Sequence, residues 1–202
     1  MHLKGYGELD FQSIQHIIDN CVGLKEINLT ANHLSEDSMN YLVNNLRPTL
    51  KKLSLGKIIE VKDNHVEILV RRCNKLKELS LHQTSITNHS ISNIIEHLKE
   101  TLEKLDVGST NTDHAQILEL RSMPLLKVLT WFPKGRPSSR QALILKNQFP
   151  DIIVNERPKQ SFGFDFPKNI GIGSSNQLFP VDSGFWEIEA KRLPVFRKNY
   201  WK

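Results

Sequence analysis

Leu50-Lys51-Lys52-Leu53-Ser54-Leu55 is an L-x-x-L-x-L run that returns along the chain at nearly constant intervals. The first apolar residues of its copies are Leu24, Leu50, Leu76, Leu102 and Leu126, separated by 26, 26, 26 and 24 residues. A period in the twenties is typical of stacked repeats, in which neighbouring units together bury one continuous apolar core. The run therefore predicts a repeat array whose core extends along its axis.

A helical pattern lies between successive runs. Apolar residues recur there at the i, i+3, i+4, i+7 spacing of one helical face. The four predicted faces are Ile14, Ile17, Ile18 and Cys21; Met39, Leu42, Val43 and Leu46; Val66, Leu69, Val70 and Cys73; and Ile91, Ile94, Ile95 and Leu98. Ser35, Asp63 and Asn88 are the predicted N-caps of the second, third and fourth helices, because their side chains can accept hydrogen bonds from free backbone amides.

Each repeat is thus predicted to run as strand, turn, helix and return. Stacking then places the strands in one parallel sheet and the helices side by side behind it. Because the helical layer is the wider of the two, the stack is expected to curve. The predicted fold class is α/β: a right-handed leucine-rich-repeat solenoid, a ribonuclease-inhibitor-like horseshoe with the parallel sheet on its concave face and the helices on its convex face.

The array is predicted to span residues 1–155 and to begin within a repeat. Leu3 precedes Leu24 by 21 residues, as Leu29 precedes Leu50. Leu3 therefore falls at the third apolar position of a copy. We expect the first part of that copy to lie before Met1; the alternative is that residues 1–7 simply fray.

The pattern changes near the fifth copy of the run. Trp131 takes the place of its last leucine, ahead of a turn that contains two prolines and a glycine. A short helix is predicted to follow and to end at Pro150, with residues 152–154 as a last strand. The predicted cap of this helix is Ser138 or Ser139, and its predicted buried side is Ala142, Leu145 and Phe149.

Alternation along each strand predicts which side chains leave the core. Because the leucines point inward, the residues between them point to the concave face. The candidate protein-binding residues on this face are Glu26, Asn28, Lys52, Ser54, Glu78, His82, Lys104, Asp106, Thr130 and Phe132. Two interpretations stay open. The face is either solvated, with its alternating acids and bases paired to each other, or it binds a protein, for which an open sheet without a covering layer is suited.

Residues 156–202 are predicted to form a C-terminal tail that packs back on the concave face. They hold nine of the fifteen aromatic residues (Phe 9, Trp 3 and Tyr 3), whereas disordered segments are poor in aromatic residues. The predicted anchor of the tail is Phe185, Trp186 and Ile188. The alternative is a flexible linker to another partner.

The sequence lacks the patterns of catalytic and metal sites. It contains neither H-E-x-x-H nor C-x-x-C, and its eight histidines are scattered. We therefore expect no enzyme activity, no metal and no cofactor. Cys21 and Cys73 stand two repeats apart, so no disulfide is expected, and the small number of cysteines favours a reducing compartment. No apolar run approaches the roughly 20 residues of a membrane span, so we expect no membrane partner and an intracellular location, in the nucleus, the cytoplasm or both.

The charge balance is mildly basic. A formal net charge of +5 and a pI near 9.2 favour acidic partners. Near the C-terminus, basic residues interleave with aromatic ones, a combination that can stack on and neutralise single-stranded nucleic acid. The basic members are Lys191, Arg192, Arg197, Lys198 and Lys202. Because acidic residues stand close by at Asp182, Glu187 and Glu189, nucleic acid is not the expected partner, and weak binding of it is only the second alternative.

Several stretches resemble the F-box leucine-rich-repeat proteins, which are substrate receptors of the Skp–cullin–F-box ubiquitin ligases. The likeness is carried by the C-x-x-L-x-x-L-x-L pattern at residues 21–29 and 73–81 and by the stretches at residues 69–73, 123–129, 149–155 and 186–193. The repeat signature is shared by many proteins, whereas the last repeat and the tail are more specific.

The resemblance implies a protein-recognition module, the substrate-binding part of a receptor in ubiquitin-dependent protein degradation. It implies a protein substrate or adaptor on the concave face and a tail folded under the sheet. In the family, an F-box ahead of the repeats docks the ligase scaffold; no F-box lies in this chain, so ligase subunits are expected only if one precedes it. The alternative is a non-ligase leucine-rich-repeat scaffold or a truncated decoy binder.

The chain departs from the family at the adaptor site. The family uses arginine, aspartate and aromatic side chains just past its strands to hold a small cyclin-kinase-subunit adaptor and the phosphorylated substrate. The matching residues here are Gln83, Ser109 and Asn111, so the resemblance does not carry adaptor binding over to this chain.

Overall fold

A computed structural model describes residues 1–5, 7–134 and 139–155, leaving aside the side chains of Glu8 and of residues 139–143. The predicted tail, residues 156–202, lies outside the described residues, and so does its anchor of Phe185, Trp186 and Ile188. The described residues thus cover most of the predicted repeat array.

The described part of the chain contains eight short strands and six α-helices. The strands are β1 (Gly7–Glu8), β2 (Glu26–Asn28), β3 (Asn32–His33), β4 (Lys52–Ser54), β5 (Glu78–Ser80), β6 (Lys104–Asp106), β7 (Val128–Thr130) and β8 (Ile153–Val154). The helices are α1 (Phe11–Asn20), α2 (Glu36–Asn45), α3 (Asp63–Arg72), α4 (Asn88–Leu98), α5 (His114–Leu118) and α6 (Ser139–Gln148), with a 3₁₀ turn at Glu119–Ser122. The fold is α/β, as predicted.

Six of the strands form one parallel sheet in the order β2-β4-β5-β6-β7-β8. Glu26 stands beside Lys52, Lys52 beside Glu78, and Glu78 beside Lys104, so each step across the sheet is one repeat of 26 residues. Lys104 pairs with Val128, a step of 24, in agreement with the shorter last interval. The predicted register of these strands is confirmed.

The N-terminal residues continue this register. The amide of Leu3 donates to the carbonyl of Asn28 at 2.8 Å, as that of Leu29 donates to Ser54 at 2.9 Å. Leu3 therefore stands at the third apolar position, as the spacing predicts. Beyond it, β1 pairs with β3 in a separate two-stranded parallel sheet.

A left-handed residue follows each of five successive strand segments of the array. Gly5, Ala31, Lys57, Gln83 and Ser109 stand one repeat apart and have φ of 72°, 61°, 63°, 55° and 57°. Their amides bond to the next repeat; the amide of Lys57, for example, donates to the carbonyl of His82 at 2.7 Å. Left-handed backbone is costly for residues other than glycine, so its recurrence indicates that this turn geometry is a fixed part of the repeat.

The core lies between the sheet and the helices. Leu53, Leu55, Leu76 and Leu102 of the runs are at most 1% exposed, and each such side chain contributes about 1.5–3 kcal/mol by leaving water. The predicted helical faces are buried against them, with Ile95 and Cys21 only partly covered. Successive helices contact each other from α1 to α5. The apolar core is therefore continuous across the repeats.

Two of the three predicted N-caps are wrong. Ser35 caps α2, accepting from the amide of Ser38 at 3.1 Å. The N-cap positions of α3 and α4 are instead held by Lys62 and Thr87, and the hydroxyl of Thr87 accepts from the amide of His89 at 3.3 Å. Asp63, at the first position of α3, instead accepts hydrogen bonds from the next repeat: from the amide of Thr87 at 2.9 Å and from the hydroxyl of Thr87 at 2.6 Å. It also accepts from the hydroxyl of Ser90. The side chain thus joins two repeats.

Asn88 acts in the same way one repeat later. Its amide nitrogen donates to a carboxylate oxygen of Asp113 at 2.7 Å, and its side-chain oxygen accepts from the amide of Asp113 at 2.9 Å. Asp113 in turn caps α5. The polar side chains of Asp63 and Asn88 at the helix starts therefore form hydrogen bonds to the next repeat, whereas an N-cap would bond within its own helix.

The end of the array follows the prediction. Helix α6 stops at Gln148, and Leu145 and Phe149 are buried. Residues 153–154 form β8, paired with β7. Ser138 and the side chain of Ala142 lie outside the described residues. Within the described ranges, no helix is both long and apolar enough to cross a lipid bilayer.

Candidate protein-binding face of the sheet

Three columns of side chains run across the sheet on the side away from the leucine core. We call this surface the polar face. Its first column is Glu26, Lys52, Glu78, Lys104 and Val128; its second is Asn28, Ser54, Ser80, Asp106 and Thr130; its third, just past the strands, is Thr30, Gly56, His82, Gly108 and Phe132. All ten predicted binding residues belong to these columns, so the fold brings them together.

The first column is a chain of ion pairs. The ammonium of Lys52 lies 3.0 Å from Glu26 Oε1 and 3.7 Å from Glu78 Oε1, and the ammonium of Lys104 lies 3.0 Å from Glu78 Oε1. Burial lowers the pKa of Lys52, but its hydrogen bond to Glu26 and the charge of Glu78 outweigh burial, so its pKa is raised. In the more deeply buried Lys104, burial prevails over Glu78 and the pKa is lowered.

A buried polar cluster occupies the middle of the other two columns. Ser80 Oγ lies 3.0 Å from Nδ1 of His82 and donates to Oδ2 of Asp106 at 3.3 Å. The amide of Gly108 donates to Oδ1 of Asp106 at 3.1 Å. Burial lowers the pKa of His82 to about 4, helped by the charges of Lys57 and Lys4. Burial also raises the pKa of Asp106 to about 7, against the bonds from Gly108 and Ser80.

These shifts decide how His82 and Asp106 interact. Nδ1 of His82 lies 3.4 Å from Oδ2 of Asp106, a distance at which charged groups would form a salt bridge. With a pKa near 4, His82 is neutral at neutral pH, so the contact is one between a neutral imidazole and a carboxyl group that itself ionises only near pH 7.

Ser80, His82 and Asp106 are also the residue types of a hydrolytic triad, but their geometry differs from one. In a triad, the serine and the carboxylate contact opposite nitrogens of the imidazole, so that a proton can pass through the ring. Here both approach Nδ1. This arrangement fixes the ring and does not activate the serine.

Glycines make room for the rings of the third column. A Cβ atom on Gly56 would collide with the ring of His82, and one on Gly108 would lie 2.7 Å from a ring carbon of Phe132. Each ring therefore lies over the glycine of the preceding repeat. The alternation of glycine and ring in this column is a packing pattern that we did not recognise in the sequence.

Eight of the ten predicted residues of the polar face are buried. Their exposed fractions are at most 9%: Asn28, Ser54, Glu78, His82, Lys104, Asp106, Thr130 and Phe132. Polar side chains on adjacent strands, which stand about 4.8 Å apart, also bond to each other. The hydroxyls of Thr30 and Ser54, for example, are 2.6 Å apart.

The accessible part of the face lies at its β2 edge and just past its strands. The side chain of Glu26 is 42% exposed and that of Lys52 is 25% exposed. Gln83 and Asn111 are exposed and Ser109 is half-buried. The side-chain oxygen of Asn111 accepts from Lys134 at 3.3 Å, whereas Gln83 and Ser109 are presented by the left-handed turns.

Ser80 is one of five polar-face residues that our set of binding candidates lacks, and its side chain contacts two of the candidates. It belongs to the same column as Ser54, and its signal is visible in the sequence as the third member of that column. Its hydroxyl contacts both His82 and Asp106, so it connects two residues that the alternation predicted separately.

Neither a family model nor a curated protein matches the chain. Among the described residues, no three His, Cys, Asp or Glu side chains are grouped so that they could hold a metal ion.

Proposed function

We propose that the chain is a protein-recognition module built as a right-handed leucine-rich-repeat solenoid, a ribonuclease-inhibitor-like horseshoe. The observation that carries this proposal is the constant register of the sheet, in which Glu26, Lys52, Glu78 and Lys104 stand side by side one repeat apart. A sheet that gains one strand per repeat, with a helix returning behind each, presents a long surface along its axis. Arrays of this kind serve mainly to bind other proteins.

Within this class, the function we propose is substrate binding in an F-box ubiquitin ligase receptor of the nucleus or cytoplasm. The support is the resemblance of the repeat pattern and of the stretches at residues 123–129, 149–155 and 186–193 to S-phase kinase-associated protein 2. The receptor would hold a substrate or adaptor protein, and ligase subunits would join through an F-box.

The contact surface for this partner follows from accessibility. Glu26 and Lys52 offer a partner one carboxylate and one ammonium at the β2 edge, and Gln83 with Asn111 offers side-chain amides past the strands. The buried members, such as Asp106 and Phe132, act on binding indirectly, because they hold the strands and turns in register.

Affinity purification of the product of the complete gene from its own cells tests the proposal. We expect Skp-family and cullin subunits to co-purify, together with a protein whose half-life lengthens when the gene is silenced. The matched variant is Glu26→Ala with Lys52→Ala, which should lose this protein and keep the ligase subunits, because it removes the two charges at the accessible edge while Glu78 keeps its ion pair with Lys104.

The competing outcome is a non-ligase scaffold. If the product retains a stable partner and no ligase subunit co-purifies, the ligase role is overturned and the recognition role stands. If the doubly substituted variant keeps every partner, binding through the β2 edge of the polar face is overturned.

A further inference from the structure

A second surface lies where the chain enters the strands. The carbonyl of Lys25 accepts from the amide of Lys51 at 2.7 Å, that of Lys51 accepts from Lys77 at 2.8 Å, and that of Lys77 accepts from Glu103 at 2.8 Å. These bonds place three lysines in adjacent positions, one per repeat. None of the three belongs to the polar face.

Acidic side chains neutralise only one end of this row. Glu103 accepts from Lys77 at 2.8 Å and from Lys127 at 2.8 Å. Among the described residues, no carboxylate lies within 4.0 Å of the ammonium of Lys25 or Lys51. Within the described part of the chain, the charges of Lys25 and Lys51 therefore have no ion-pair partner.

The loops that lead into these lysines add further cations. They are residues 21–25, 46–51 and 72–77, and we call them the basic rim. The rim carries Lys25, Arg47, Lys51, Arg72, Lys75 and Lys77 and contains no Asp or Glu. The loops touch through side chains as well as backbone, since Sγ of Cys73 donates to the carbonyl of Arg47 at 3.5 Å.

The rim cations are available to a partner. Lys25, Arg47, Arg72 and Lys75 are exposed and Lys51 is half-buried. Adjacent strands are about 4.8 Å apart, which is less than the screening length of about 8 Å at physiological salt. The charges therefore act together, and an anionic partner gains from several of them at once.

We propose that the basic rim binds an acidic polypeptide segment. A peptide is favoured over single-stranded nucleic acid because the three loops contain no aromatic residue on which bases could stack. Val22 supplies an apolar contact, since it is 62% exposed within the first rim loop. Carboxylates spaced along an extended peptide can reach lysines on successive repeats.

The test measures binding of a fluorescein-labelled oligoglutamate peptide to the full chain by anisotropy. We expect binding that weakens as salt rises from about 50 to about 300 mM. The variant Lys25→Gln, Lys51→Gln, Lys75→Gln should weaken it about tenfold or more and remove most of its salt dependence.

The matched control removes the same charge elsewhere. Lys57→Gln, Lys62→Gln, Lys134→Gln changes three exposed lysines past the strands and should weaken binding less than about twofold. Gln is compatible with the left-handed turn at residue 57, because Gln83 occupies the same turn. The two triple variants should have the circular dichroism of the parent.

Three results would overturn the proposal. One is an equal loss of affinity for oligoglutamate in both triple variants, which would show that the net charge of the protein decides binding and that the position of the lysines does not. The second is absence of binding at low salt. The third is tighter binding of an oligothymidylate of equal charge than of oligoglutamate, which would assign the rim to nucleic acid. None of these results bears on the ligase subunits, so the proposed function is tested separately.

Discussion

The imidazole of His82 lies in the space that a Cβ atom on Gly56 would occupy. The two residues stand one repeat apart, just past β4 and β5, where the amide of Lys57 donates to the carbonyl of His82 at 2.7 Å. His82 is 3% exposed and its ring contacts Ser80 and Asp106. The ring therefore has little freedom to move away.

We predict that Gly56→Ala lowers the free energy of unfolding by about 1–3 kcal/mol, the usual cost of overpacking a filled site. Urea denaturation measures this. The control is Gly23→Ala, where nothing lies within 4 Å of the added methyl group and no such loss is expected. Gly56→Ala should destabilise a protein that already carries His82→Ala less than it destabilises the parent, because the ring is no longer there. An equal loss of unfolding free energy in the two backgrounds would show that the collision with the ring is not the cause.

The leucine register was predictable because it is redundant. Three successive intervals are 26 residues long and the fourth is 24, and shifting one strand by a single residue would turn Leu53 outward and expose the core. The stripe of Val66, Leu69 and Val70 was predictable for the same reason, since burial of one helical face is the main stabilising contribution to the repeat. These features depend on many residues that specify the same arrangement.

The burial of the polar face was not predictable in this way. Alternation gives the direction of a side chain such as Asp106, but the room left around it depends on its neighbours in the adjacent repeats, here Ser80 and the amide of Gly108. The caps failed for a similar reason, because the carboxylate of Asp63 accepts from Thr87 and Ser90 of the next repeat and not from an amide of its own helix. Local sequence does not determine which partner is used.

The second prediction concerns Asp106, whose pKa is raised from 3.8 to about 7 by burial. The folded protein holds this proton more tightly than the unfolded chain, so the residue's contribution to stability falls as pH rises from about 4 to about 7, by about 1.4 kcal/mol per unit of pKa difference. Asp106→Asn should therefore be more stable than the parent at pH 8, with the gain shrinking to little at pH 4.

Asn28 shows that asparagine fits this site. It stands in the same column and accepts from the amide of Thr30 at 3.0 Å, as Asp106 accepts from Gly108. The comparison must be made between variant and parent at each pH, because His82, with its pKa lowered to about 4, increases stability as pH rises from about 4 to 6.5. A variant less stable than the parent at pH 8 would contradict the prediction.

The third prediction concerns the hydrogen bonds between repeats. Asp63→Ala removes the acceptor of the Thr87 amide, the Thr87 hydroxyl and the Ser90 hydroxyl, and should lower the free energy of unfolding by about 1–2 kcal/mol. Asp37→Ala is the control, because Asp37 is exposed in the first turn of α2 and its removal should change stability by less than about 0.5 kcal/mol.

Acid unfolding gives a second readout of the same contacts. Burial raises the pKa of Asp63, but the bonds from Ser90 and Thr87 outweigh it and leave the pKa below 3.8. The stabilisation is therefore complete above pH 3.8 and is lost as pH falls below that value. The loss of unfolding free energy caused by Asp63→Ala should therefore become smaller in acid. A loss of equal size at every pH would mean that the substitution acts on helix α3 itself and not through the bonds to the ionised carboxylate.

The fourth prediction concerns Glu103, which separates the basic rim from Lys127. Hydrogen bonds from Lys127 and Lys77 lower its pKa from 4.5 to about 2, and nuclear magnetic resonance titration of its carboxyl carbon should show this. Lys77→Gln with Lys127→Gln should return the pKa to about 4.5; a carboxyl that titrates there in the parent would contradict the ion pairs.

Glu103→Gln should change stability by less than about 1 kcal/mol, because both lysines are more than half exposed and water screens such pairs. Its effect on binding should be larger. Freeing Lys77 and Lys127 extends the uncompensated row beyond Lys25 and Lys51, so the variant should bind oligoglutamate severalfold more tightly than the parent. Unchanged affinity would mean that Lys77 and Lys127 do not contact the peptide.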